Sequence, residues 1–140
     1  MLAVRRHLVR LSANPKDEEI LSVIDTWLGA LANGDYERAY RVTEHDAYYR
    51  WTPRLIEEVV RGYGLKLGDE SSAHRVSRGA ATSGGPPRRS IDRQNVPPGV
   101  IAFVEHDLPL DGVWSDLTAT FRVEPRGTDA VLILEDIHVL

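Results

Sequence analysis

The chain has 140 residues, 42% of them hydrophobic and 27% charged, with a net charge of -4. That is the length and balance of one globular domain with its own core, and the charge is too small to imply a partner by itself. The absence of cysteine excludes disulfides, thiolate metal sites and cysteine nucleophiles, and suits a reducing cytoplasm.

Nowhere does an apolar run approach the ~20 residues that span a bilayer. Residues Met1 to Leu11 are interrupted by Arg5, Arg6 and Arg10. The expectation there is a short helix with Met1, Val4, Leu8 and Leu11 packed on the domain, rather than a signal sequence or a membrane-surface helix. The first strong helix is predicted from Asn14, with Asn14 as cap and Pro15 in the first position. Asp17, Glu18 and Glu19 fill its first turn, where the helix dipole favours negative charge. Ile20, Ile24, Trp27 and Leu31 follow at helical spacing, with Leu21 and Leu28 beside them. Asn33-Gly34 is a stop. Asp35 can cap a second helix bearing Tyr36, Ala39 and Tyr40. A third helix starts at the cap Thr52 and Pro53, carries Leu55, Ile56, Val59, Val60 and Tyr63, and ends at Gly62 and Gly64. Tyr48-Tyr49-Arg50-Trp51 is read as a connection closing one end of the core.

Residues 65–99 are rich in Ser, Gly, Pro and Arg, and are predicted to be a long loop with a short strand at Ser90 to Ile91. Three strands follow. They run from Val100 to Leu108, from Trp114 to Glu124 and from Ala130 to Leu140, with turns at Pro109 to Val113 and at Pro125 to Asp129. The prediction is a single α+β domain over 1–140, helices first and an antiparallel sheet last. Charge is uneven: 71–99 holds five arginines and one aspartate, and 100–140 holds eight acids and two arginines. A basic loop that lies over the sheet's rim accounts for this, and so does a patch that meets a charged partner.

The stretch ILSVIDTWLGALANGDYERAY, Ile20 to Tyr40, resembles the opening helices of the nuclear-transport-factor-2-like superfamily. The stretch DLPLDGVWSDLTATFRVEPRGTDAVLILEDIHVL, Asp107 to Leu140, resembles a family of small bacterial proteins without an established activity. The superfamily resemblance implies a cone, a curved sheet around a cavity closed by helices. Members include ketosteroid isomerases, dehydratases and polyketide cyclases, and also binding, dimerisation and immunity-like modules. The polar middle of this chain departs from that pattern and implies a smaller or collapsed cavity.

Strand alternation groups Leu117, Ala119, Phe121 and Val123 on one face. It places His106 with Val100, Ala102, Val104 and Leu108, and Glu135 with Val131, Ile133, Ile137 and Val139. Regular strands thus direct His106 and Glu135 inward. An inward carboxylate has a raised pKa and can act as a general base, with Tyr40, Tyr48 or Tyr49 donating to an oxyanion. The plainer alternative is a bulge that returns Glu135 and His106 to water, or a structural pair. Glu105, His106, Asp107, Asp116, Asp136 and His138 lack the ligand spacing of a metal site. Gly84-Gly85-Pro86-Pro87 lacks the ending of a phosphate loop. Nucleic acid is not expected, because the arginine loop has no stacking aromatics. Trp114, Asp116, Arg88 and Arg89 are the candidate contact residues, with Trp51 a further possible anchor.

The preferred expectation is a cytoplasmic, non-catalytic module that binds a protein partner or itself, immunity-like, with no cofactor, metal, nucleic acid or membrane. The alternative is a small isomerase, dehydratase or cyclase using Glu135, His106 and Tyr40.

Overall fold

The structure is a computed structural model that describes residues 8–63, 76 and 89–139. In chain order the elements are β1 (Arg10–Leu11), α1 (Asp17–Ala32), α2 (Tyr36–Val42), β2 (Glu44–His45) and α3 (Pro53–Arg61). They are followed by β3 (Arg89–Asp92), β4 (Ala102–Leu110), β5 (Val113–Arg126) and β6 (Asp129–Val139). The strands form one sheet in the order β1-β6-β5-β4-β3, with β2 also alongside β6. All pairings are antiparallel except β2 with β6. The sheet curls into a half-barrel, and the fold is α+β and cone-like.

The helices form where the apolar spacing predicts them. In α1 the stripe Ile20, Val23, Ile24, Trp27, Leu28 and Leu31 is buried. Gly34 takes a φ of 72° after it, and the Asp35 side chain accepts the Arg38 N–H to start α2. In α3 the Thr52 hydroxyl accepts the Leu55 N–H, Pro53 holds the first position, and Ile56 and Val60 are buried. The start of α1 differs from the prediction. The helix begins at Asp17 with Lys16 before it, not at Asn14 and Pro15. Side-chain contacts hold the segment around this start instead. The Ser12 N–H and hydroxyl both donate to the Glu19 carboxylate at 2.7 Å, and Arg93 reaches across to Asp17 and the Pro15 carbonyl.

The N-terminal helix expectation also fails where it can be compared. Arg10 and Leu11 are a strand paired with Val131 and Ala130, and Leu11 is buried. Residues 1–7 lie outside the described residues. So does most of the predicted loop 65–99, within which Val76 bridges to Leu110 and β3 forms where Ser90 and Ile91 indicated.

The two hairpins follow from their turn residues. Asp111 and Gly112 both have positive φ, 53° and 83°, as a type I′ turn requires. Gly127, at φ 62°, opens the two-residue turn between β5 and β6. Leu117, Ala119, Phe121 and Val123 point into the core as expected, and Phe121 meets Trp27 edge to face at 5.2 Å. The last strand departs from regular alternation. Thr120 pairs with Asp136 and Phe121 with Leu134, so Glu135 is an extra residue in a bulge. Ala130, Leu132 and Leu134 face the core before it and Ile137 after it. Val131 and Ile133 therefore lie on the opposite face beside Arg122 and Glu124, their cross-strand partners.

Candidate functional site

A second irregularity builds the candidate site. Between the pairs Asp107↔Thr118 and Pro109↔Trp114, β5 carries more residues than β4. Proline has no N–H to give the ladder, so it suits such a break. Ser115 spans the gap: its hydroxyl donates to the Leu108 carbonyl at 2.8 Å and accepts the Leu117 N–H. The break turns Trp114 toward β3 and β4. The Arg89 guanidinium lies 5.8 Å from the centre of the Trp114 ring, within cation–π reach, and the His106 ring lies 6.2 Å from it. Arg89 and His106 are direct cross-strand partners.

Next to this cluster is a groove of about 460 Å³. Tyr63, Leu110, Val113 and Trp114 supply its apolar and aromatic surface, and Asp111, Ser115 and Asp116 its polar groups. The Tyr63 hydroxyl donates to Asp116, joining the end of α3 to β5. That bond to the carboxylate raises the Tyr63 pKa, because losing the phenolic proton would set two negative charges together.

His106, Trp114, Asp116 and Arg89 are thus brought together. Arg88 lies outside the described residues. Tyr40 and Glu135 are placed elsewhere. Tyr40 stacks on His45 at 4.0 Å, and its carbonyl accepts the His45 Nε2–H. Glu135 is a correction to the regular-strand expectation. Its carboxylate shares the outer face with Val131 and Ile133, 3.2 Å from Arg122, and the bulge returns the core side to Ile137. Arg122 also holds Asp46 and Glu124, and Arg126 holds Glu44 and Glu124. Burial opposes the Arg122 charge, but these hydrogen bonds outweigh it and raise its pKa; they also lower the pKa of Glu124. Two signals missed in the sequence point here. Arg122 and Arg126 are alone among eight acids in the last 41 residues, and Tyr63 ends the apolar stripe of α3.

His106 does face inward and is buried. Its Nδ1–H donates to the Asp107 carbonyl at 2.7 Å. Burial holds its pKa below the ordinary 6.5 and Arg89 adds to this, while the Asp107 carbonyl and the charges of Asp25 and Asp107 oppose it. The pKa of His45 is likewise lowered by burial, against its bond to Tyr40 and the charge of Glu44. A depressed histidine pKa means that the folded state binds fewer protons than the unfolded chain between the folded value and about 6.5. Stability is therefore full above that range and is lost as pH falls through it. Urea unfolding between pH 7.5 and 5 is expected to show this loss, and His106→Gln to reduce its slope. An unchanged slope in the variant would remove His106 as a source.

Among the described residues no three of His, Asp and Glu gather as metal ligands, and no helix is long and apolar enough to cross a membrane. Comparison of the chain with protein-family models, curated proteins and solved structures finds no match. The groove has what contact surfaces use: a rigidly backed tryptophan, a tyrosine, an arginine and a few directed polar groups.

Proposed function

We propose that this chain is a non-catalytic protein-binding module of the nuclear-transport-factor-2-like kind, working in the cytoplasm and immunity-like in that it acts by occupying a partner. The observation that carries this is the groove beside Trp114. There an aromatic side chain, held from one side by Arg89, sits next to the exposed Val113 and the Tyr63–Asp116 pair. Tryptophan, tyrosine and arginine are the residue types that dominate contact energies, and a rigid turn lowers the ordering cost of binding. The enzyme alternative loses its general base, because Glu135 is turned to Arg122 on the outer face.

A photocrosslinker at Val113, used in the native cell, tests the proposal. The expected result is one dominant protein adduct. It should be lost in a second chain carrying Trp114→Ala, with an unchanged melting temperature. Equal capture by both chains would remove the groove from binding. A small molecule captured and turned over in its place would replace the module reading with catalysis.

A further inference from the structure

A second feature lies away from the groove. Tyr48 is 80% exposed and Tyr49 44%, the two most exposed aromatic side chains among the described residues. Such exposure normally belongs to a loose loop, yet this turn is fastened at every step. Asp46 accepts the Tyr48 N–H at 2.8 Å with one carboxylate oxygen and the Arg122 guanidinium at 2.6 Å with the other. The Trp51 indole N–H donates to the Glu135 carbonyl at 3.0 Å, and Trp51 is buried. The negative charge of Asp136 lies close enough to Tyr49 to raise its pKa. Between these anchors Arg50 is held at a φ of 53°, a left-handed conformation that L residues adopt only when their surroundings enforce it. The outcome is an edge-to-face tyrosine pair, 4.8 Å between centroids, presented to solvent on a rigid base.

From this geometry we infer that the Tyr48–Tyr49 turn is a contact surface of its own, and that its partner is a basic protein segment. Charge decides the partner class. The carboxylates of Asp46, Glu135 and Asp136 adjoin the turn, against the guanidinium groups of Arg50 and Arg122, and Glu124 and Glu44 extend the network through Arg122 and Arg126. Asp136 lies 2.8 Å from His138 Nδ1 rather than against an arginine. The surplus of negative charge lies beside open aromatic faces, the two elements that hold an ammonium or guanidinium group. A lysine or arginine stem lies on the Tyr48 ring while its head faces Asp136 and Asp46. The rigid base spares the surface most of its ordering cost.

Fluorescence anisotropy of a labelled arginine–glycine peptide, titrated with the full chain, tests this. A glutamate–glycine peptide is the control. The basic peptide is expected to bind, to weaken about tenfold with Tyr48→Ala, and to lose most affinity in about 0.5 M salt. Tyr48→Phe should retain binding, because the ring face is what the cation meets. Tyr48→Ala should keep the wild-type melting temperature, since so exposed a ring contributes little to the core. Trp114→Ala should leave peptide affinity unchanged, which separates this surface from the groove. Equal affinity in wild type and Tyr48→Ala would overturn the inference. So would equal binding of the acidic peptide. Sedimentation gives a third outcome: a dimer that Tyr48→Ala dissociates, with no peptide binding, would assign the turn to a second copy and overturn the basic-segment partner.

Discussion

Replacing Trp27 by alanine is expected to destabilise the domain by about 3–5 kcal/mol, a large part of the ~5–15 kcal/mol typical of a domain. Trp27 is completely buried at the meeting of α1 and the sheet, with its ring set edge-on to Phe121. Removing it opens a cavity that the flanking Ile24, Leu31 and Phe121 close only by shifting strands that are fixed at both edges. The indole N–H of Trp27 has no hydrogen-bond partner among the described residues. Trp27→Phe therefore removes volume without breaking a hydrogen bond, and its cost should be less than half that of Trp27→Ala. Urea denaturation checks both, with a lower midpoint and an unchanged slope as the signature of a cavity effect. A loss under ~1 kcal/mol for Trp27→Ala would mean that the helix is not docked on the sheet as described.

The second large effect belongs to Arg122. Its guanidinium is the common partner of Asp46, Glu124 and Glu135, each about one quarter exposed. Taking it away leaves three neighbouring carboxylates with hydrogen bonds unmade and charges opposed. Full burial of such a group would make the loss larger; with this much solvent contact Arg122→Ala is expected to cost about 1.5–3 kcal/mol at neutral pH. The pH dependence identifies the cause. The pKa of Asp46 is lowered by the Tyr48 N–H and by Arg122, and that of Glu124 mainly by Arg122, from ordinary values of 3.8 and 4.5. A lowered carboxylate pKa gives stability that is present above the unfolded value and lost as pH falls through the folded one. Wild type and Arg122→Ala should thus differ most at neutral pH and converge in acid, once the carboxylates are protonated in both. Parallel curves would show that Arg122 acts through packing of its stem alone. A double-mutant cycle with Glu135→Gln measures the pair itself.

The two residues illustrate what the chain discloses before it folds. Trp27 was readable as core because Ile20, Ile24 and Leu31 share its helical stripe, and periodicity reports burial directly. Arg122 was legible only as a polar residue on the outward side of β5. Its partners come from the residue just after β2, from β5 and from β6, up to 76 residues away. No local pattern encodes such a meeting.

The candidate site divides in the same way. Trp114, Asp116, Arg89 and His106 stood out by residue type, and the strand parity of His106 was read correctly. Their convergence depends on the extra residues of β5 opposite Leu108, which redirect Trp114. Tyr63 joins them because α3 ends beside β5. Glu135 shows the converse. Alternation grouped it with Val131, Ile133 and Ile137 as interior, but the core side of β6 is Ala130, Leu132 and Leu134 before the bulge and Ile137 after it. A strand has a side-chain period of two, so a single inserted residue exchanges its faces.

The α+β class, the helical stripes, the caps Asp35 and Thr52 and the Asp111-Gly112 turn were determined by sequence alone, since each depends on residues within a few positions of one another. Tertiary structure decided the rest. It moved the start of α1, made Arg10 and Leu11 a strand, turned Glu135 outward and fastened the Tyr48–Tyr49 turn above the sheet. Each of these outcomes depends on partners distant in sequence, whose contacts outweigh local preferences of about 1 kcal/mol or less.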